Sequence, residues 1–284
     1  ILNHLAFNLE PSAGSADKQS PLALLNTITR TLAELTFPDG PPILTAEFEV
    51  DALHPESLNL PDFCLSSSRI IHKKGTLEAM EIKGEFTNGI LRLPIIQLKD
   101  NQGSLQASGE WDLHKSKAVA SLISTLNPTT ILKGSMPSNT AIQKLEFTEP
   151  PRLDAEMEIQ FGSQKPQIHV TGSFTSPRLL FDRVAFTDVG CSFAWKNGHF
   201  YARDILARTQ RGALEGNVWI AKDDLRLVLH NTIPPTDLTS LFGTKAQEVL
   251  NRTEFTETPD ITVSLQSTKL AFANMHGKGH LKLG

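Results

Sequence analysis

Short stretches of this chain alternate strictly between apolar and polar residues. Ala46, Phe48 and Val50 alternate with Glu47 and Glu49. Met157, Ile159 and Phe161 alternate with Glu156, Glu158 and Gln160, and Ile261, Val263 and Leu265 with Thr262, Ser264 and Gln266. A period of two places the apolar side chains on one face of a strand and the polar ones on the other. Asn-Gly pairs separate such runs in "FTNGIL" (86–91) and "WKNGHF" (195–200). That pair is the strongest short hairpin signal, because a type I′ turn needs positive φ at both central residues. "DNQGSL" (100–105), "TQRGAL" (209–214) and "AKDDLR" (221–226) read as further turns. The pattern predicts antiparallel meanders, each of about six or seven strands.

Three stretches break the period. Residues 127–147 and 233–255 have helical character, with Asn139, Thr140 or Thr244 as candidate caps. Residues 21–36 carry Leu22, Leu25, Ile28, Leu32 and Leu35 near a helical stripe, and 8–20 reads as loop. Helix content is expected to fall well below strand content.

The chain also repeats itself. "LEFTEPPRLDAEMEIQ" (145–160) returns as "TEFTETPDITVSLQ" (253–266), and more faintly as "LTFPDGPPILTAEFEV" (35–50). A shift of 109 lays Arg69-Ile70-Ile71 on Arg178-Leu179-Leu180, Asn88-Gly89 on Asn197-Gly198, and Gly103-Ser104-Leu105 on Gly212-Ala213-Leu214. After a two-residue slip, Pro128-Thr129 falls on Pro235-Thr236. A unit of about 108 residues follows the stacking logic of shorter repeats. The expected division is 1–20 as the end of a preceding unit and a loop, 21–133 and 134–241 as β repeat units, and 242–284 as the start of a third. In each joint an aromatic anchors a helix end, and a proline then starts an extended run.

Composition narrows the function classes. The 284 residues carry a formal net charge of −4 with scattered basic residues, so nucleic acid finds no electrostatic footprint. No apolar run approaches the roughly 20 residues of a membrane-spanning helix. The chain opens "ILNHLAF", with neither Met nor a signal-peptide pattern. It reads as part of something longer, from which any leader or anchor has been removed. Two cysteines make no disulfide framework. Cys191, which takes the place of Ile82 in the other unit, is expected in a strand core. Cys64 is expected in an irregular insert, "LNLPDFCLSSSR" (58–69), and unbonded to Cys191.

Strands worded "GSLQASGEW" (103–111) and "GALEGNVWI" (212–220), and the strand exit "PTDLTSL" (235–241) before a short helix and a new strand, resemble the AsmA-like family of bacterial envelope proteins, which includes the TamB-type proteins. The resemblance covers most of the chain and brings no catalytic motif. It implies a long twisted β-groove lined with apolar side chains, located in the periplasm or at the outer membrane. It implies a role in lipid homeostasis or envelope assembly; several members are proposed to conduct lipids. Pro94, in "ILRLPIIQL", departs from the strand wording and belongs at an edge or a bulge.

Candidate chemistry is sparse. Asp39 in Pro38-Asp39-Gly40 and Asp188 in Thr187-Asp188-Val189-Gly190 are the candidate pair for an aspartic-type protease. Such enzymes share one proton between two carboxylates in equivalent turns. Neither string is Asp-Thr-Gly or Asp-Ser-Gly, and under the 109 shift Asp188 falls on Ala79. His276 and His280 have metal-pair spacing, but their glycines argue against a helix and no third ligand is near in sequence. Gly-x-Ser-x-Gly, Gly-x-Gly-x-x-Gly and Walker sequences are absent. Trp195 shares its place with Phe86, which marks a core or groove position. Trp219 falls out of phase with Leu214, Gly216, Val218 and Ile220, so it is a candidate partner, lipid or carbohydrate surface.

The leading expectation is a non-enzymatic, mainly β envelope protein without cofactor or metal. Its tandem meanders form curved sheets with one apolar face. That face, with Ile159 and Phe161 as ligand-binding candidates beside Trp219, binds or conducts lipid acyl chains or packs on an envelope partner as one trough running from unit to unit. Membrane proximity would come through a segment outside this sequence. The competing expectations are a secreted carboxylate-dependent protease acting on a host or envelope glycoprotein, and a carbohydrate-binding β protein.

Overall fold

The computed structural model describes residues 35–51, 53–72, 75–129, 143–162, 166–221, 224–241, 248, 260–267 and 275–282. Of the helix expected at 21–36, residues 21–34 lie outside the described residues, and at its end Thr36 is not helical but forms an antiparallel bridge with Ile71. Most of the helices expected after Asn139 or Thr140 and after Thr244 also lie outside them, and Leu145, expected at the end of the former, stands in a strand. Among the described residues the fold is mainly β, with one short 3₁₀ helix at Pro235–Leu241. The chain divides into two compact units, Ile1–Gln143 with Glu158–Pro166, and Lys144–Met157 with Gln167–Gly284.

The first unit holds an open antiparallel sheet. Its strands are β1 (Ile43–Asp51), β2 (His54–Ser67), β5 (Ala79–Thr87), β6 (Ile90–Lys99), β7 (Ser104–Asp112) and β8 (Lys117–Ser124), in that spatial order. A separate hairpin joins β3 (Ile70–His72) to β4 (Gly75–Leu77). The second unit continues the style. β9 (Leu145–Phe147) pairs with β11 (Gln167–Phe181), followed by β12 (Val184–Lys196), β13 (His199–Arg208), β14 (Ala213–Ala221), β15 (Asp224–Asn231), β16 (Asp260–Ser267) and β17 (Met275–Lys282). β10 (Arg152–Gln160) begins in the second unit and ends in the first.

Alternation within each strand becomes two faces of a sheet because the register is matched from strand to strand. In the first unit, Leu44, Leu65, Ile82, Ile96, Ala107 and Leu122 pair in succession across six strands. The neighbouring row is Ile43, Ser66, Glu81, Gln97, Gln106 and Ile123. In the second unit, Gly172, Phe193, Ala202, Val218, Leu227, Leu265 and Gly277 form an apolar row. Thr171, Ala194, Tyr201, Trp219, Arg226, Gln266 and His276 form the row on the opposite face. Each unit therefore has one apolar and one polar sheet face.

The architecture is repeat-like in detail. The pair Asn88-Gly89 (φ 50 and 71) and the pair Asn197-Gly198 (φ 50 and 83) turn the chain between corresponding hairpins. β6 and β7 slip register between Leu93 and Ile96, and β13 and β14 slip between Ala202 and Ile205, 109 positions on. Pro94 lies inside the first of these slips, where an irregular ladder tolerates a residue without N–H. Thr125 Oγ1 accepts from Ser104 N at 3.0 Å, and Thr232 Oγ1 accepts from Ala213 N at 2.9 Å, closing the same end of both meanders. Ser67 and Ser176 each donate to the carbonyl two residues on.

Cys64 lies within β2 and not in an irregular insert. The pairing with β5 slips between Leu60 and Phe63, and so absorbs Pro61 and Asp62. Ladder pairing then resumes at Phe63, Cys64 and Leu65. Both cysteines are free.

One core cluster gathers Val184, Phe186, Ala207 and the fully buried Ile233, with Leu179, Phe181, Val189, Leu214 and Leu238 packed around it. Leu238 comes from the 3₁₀ helix, which Arg211 fixes through Asp237 and through Thr236 at 2.9 Å. Outside this cluster Met80, Phe86, Val170 and Ala202 are also buried, the apolar face is half-buried along β6, β8 and β16, and β1 is exposed.

Candidate functional site

The feature that invites a ligand is the apolar sheet face. Phe161 follows β10, and its backbone N–H donates to Ser116 O at 2.8 Å. Its ring packs 5.5 Å from that of Trp111. Trp111 pairs with Leu91 and Ala118, so Phe161 meets the apolar face. Glu158 turns the other way and pairs with Lys117 at 3.0 Å on the polar face. Ile159 lies between Glu158 and Gln160 in sequence and is half-buried, in phase with Met157 and Phe161. In the second unit Ile261, Val263 and Leu265 pair with Asn231, Leu229 and Leu227, again on the apolar side.

Glycines cut into this face where large side chains lie over them. A Cβ on Gly84 would come within 2.8 Å of the Phe63 ring and 2.5 Å of Arg92 O. A Cβ on Gly172 would meet the Phe193 ring at 2.8 Å and Asp154 O at 2.2 Å. These glycines are therefore close-approach positions, and their neighbours fill the space a side chain would take.

Trp219 belongs to the polar face. Its ring stands edge-on to His199 and Tyr201, with centroids 6.2 Å away in each case. The Arg226 guanidinium lies 4.7 Å over the Trp219 ring. One face of the indole is thus already occupied by a cation of this chain. His199, Tyr201 and Arg226 are exposed, and Trp219 among them is half-buried.

The two candidate protease residues lie in different units. Asp39 is exposed in a turn closed by Gly40 N and Phe37 O at 3.4 Å. Asp188 is exposed in β12 with φ 51, where the pairing with β13 slips between Thr187 and Gly190. Asp tolerates that left-handed conformation better than most residues, which accounts for it structurally. Among the described residues, no group of three or more His, Cys, Asp or Glu is placed to hold a metal. Burial pushes the Cys191 thiol above its ordinary range, so it is a poor nucleophile.

The sequence reading missed Phe63, Gly84, Gly172 and Phe193, because their pairing depends on register across β2, β5, β11 and β12. The chain matches no protein-family model, no curated protein and no solved structure.

Proposed function

We propose that this chain is a non-enzymatic, repeat-built β protein of the bacterial envelope, similar to the AsmA-like family, whose apolar sheet faces bind lipid acyl chains. Its building block is a meander of about 108 residues joined to the next by a short helical segment. The observation that carries this reading is the one-sided apolar face, six strands wide from Leu44 to Leu122 in the first unit, which is buried at Met80 and Phe86, half-buried along β6 and β8 and exposed along β1. Removing each Leu, Ile, Val or Phe of such a face from water is worth roughly 1.5–3 kcal/mol, so a sheet of this kind binds whatever apolar matter covers it. An acyl chain suits it because the row from Leu44 through Leu65, Ile82, Ile96 and Ala107 to Leu122 is apolar at every strand. An apolar segment of an envelope partner is the other occupant consistent with the face.

The test is native mass spectrometry of protein purified from bacteria, followed by titration with a fluorescent fatty acid. Bound lipid and saturable probe binding are expected. Ile159→Asp should abolish both while leaving the β circular dichroism unchanged. Purification without lipid, together with no probe binding, would leave only a scaffolding role.

A further inference from the structure

The chain carries two Asn-Gly pairs, and each turns a hairpin. The pair that favours the turn is also chemically labile. Glycine has no side chain to shield its main-chain nitrogen, which can attack the asparagine side chain before it. Attack requires the turn to open: Asn88 and Asn197 both stand at φ 50, and the next peptide must rotate before its nitrogen reaches Cγ. The two hairpins differ in what resists that opening.

The first turn lies against a second loop. His114 Nε2 donates to Asn88 O at 2.9 Å, and a Cβ on Gly89 would come within 2.6 Å of that nitrogen. From the same loop Leu113 N–H donates to Gly89 O at 3.0 Å. Asn88 N–H donates to Asn59 Oδ1 of β2 at 3.3 Å. Four residues, 113–116, separate the paired Asp112 and Lys117. Two, 222 and 223, separate the corresponding pair of Ala221 and Asp224. The loop that carries His114 is therefore two residues longer than its counterpart. The second turn is exposed at both Asn197 and Gly198. A Cβ on Gly198 would meet no atom within 4 Å, and Asn197 N–H donates to Ile168 O at 3.1 Å.

We infer that Asn197 is a site of spontaneous deamidation, and that the His114 loop withholds the corresponding Asn88 from the same reaction. The Gly198 nitrogen attacks Asn197 Cγ. The new C–N bond closes a succinimide ring as the Cγ–Nδ2 bond breaks. The proton of the attacking nitrogen passes through solvent to the leaving amide, which departs as ammonia. Water then opens the ring at either carbonyl and leaves Asp or isoaspartate at 197; water is the sole co-reactant. Either product adds a carboxylate between the exposed Lys196 and His199. The isoaspartyl product also routes the main chain through the side-chain carbon. It lengthens the turn between the paired Lys196 and His199 by a methylene, so a two-residue turn no longer fits its ladder. This inference does not rest on acyl-chain binding, and a negative lipid result leaves it standing.

The experiment ages the full chain in mildly alkaline buffer and follows both asparagines by peptide mass mapping, with isoaspartyl methyltransferase labelling to identify isoaspartate. In the folded chain Asn197 should convert about tenfold faster than Asn88, because opening the first turn also breaks the bonds from His114 and Leu113. In denaturant the two rates should converge, since Gly follows Asn in both. His114→Ala, at an exposed position, should speed Asn88 about threefold and leave Asn197 unchanged. Asn59→Ala loosens the same turn from β2 and should act in the same direction. The inference is overturned if Asn88 converts as fast as Asn197 in the folded chain, or if neither variant speeds Asn88. A rate difference that persists in denaturant overturns it by placing the cause in local sequence. Conversion of neither asparagine in the folded chain, while both convert in denaturant, also overturns it, because the second turn is then as closed as the first.

Discussion

Four positions on the polar face are written twice, in different chemistry. In the first unit Glu85, Arg92, Glu110 and Val119 pair in succession across β5, β6, β7 and β8. The corresponding residues of the second unit are Ala194, Tyr201, Trp219 and Arg226. Arg92 bridges Glu85 at 2.7 Å and Glu110 at 2.9 Å, and the two carboxylates raise its pKa. The second unit makes the same cross-strand span with an aromatic pair and a cation over a ring. The apolar face and the Asn-Gly turns set the register, and the polar face then accepts any cross-strand set that satisfies itself. Trp219 therefore has a structural role before any ligand is invoked.

The apolar face tolerates exchange under a tighter condition. Phe63 opposite Gly84 becomes Gly172 opposite Phe193, so the large and small partners have changed places while the pair remains. Dense packing explains this: one ring fills the space between the strands, and either strand can supply it. The largest expected effect follows. Phe63→Ala and Phe193→Ala should each cost roughly 2–3 kcal/mol, at the lower end for aromatic truncation because both rings are half-buried. Denaturant unfolding checks this. Gly84→Ala, itself destabilising, should cost less in the Phe63→Ala background, by at least about 0.5 kcal/mol. The rescue stays partial because Arg92 O also crowds that site. Strictly additive losses would break the exchange argument.

A middle-sized effect separates the two polar spans. Trp219→Ala should destabilise by about 1–2 kcal/mol, from lost ring contacts and the lost cation–π contact. That loss should change little with salt. Arg92→Met should act more weakly, and its effect should fade as added salt screens the exposed triad. Unfolding midpoints of both variants across a range of sodium chloride concentration test the distinction. A Trp219→Ala protein as stable as wild type would return the residue to the candidate ligand surfaces.

Much of the fold was legible because its signals are local. Alternation at Ala46–Val50 and Ile261–Leu265, and the Asn-Gly pairs, each act within a few residues. The proline in β6 announced an irregular ladder for the same reason. What escaped required two strands to be aligned at once. Cys64 was misplaced because Pro61 and Asp62 look like a strand end, whereas a register slip carries the strand past them. The exchange of Phe63 with Gly84, and the ionic span of Arg92, are likewise pairings between residues distant in sequence. The candidate site was legible as a periodicity, through Ile159 and Phe161. Its partial exposure was not, because covering a face is a property of tertiary structure.

The smallest expected effect is a pH dependence confined to one of two corresponding turns. Asp112 ends β7 almost wholly buried, 7% exposed, where the second unit has Ala221 at the end of β14. Lys115 holds it twice, Nζ to Oδ2 at 2.9 Å and backbone N–H to Oδ1 at 2.9 Å. The ammonium bond first, and then the backbone bond, lower the Asp112 carboxyl below the usual Asp range. A carboxylate whose folded pKa is depressed stabilises the fold fully above its unfolded pKa, near 3.9. That contribution is lost as pH falls below this value and through the folded pKa. Asp112→Ala should therefore be less stable than wild type at pH 7, and the gap should narrow on acidification below about pH 4. The matching kinetic sign is faster exchange of the Lys115 amide relative to neighbouring strand amides, in acid for wild type and at all pH values for the variant. A stability gap independent of pH would mean that Asp112 acts through shape and not through charge. The β7–β8 turn would then be equivalent to its alanine-bearing counterpart in everything but packing.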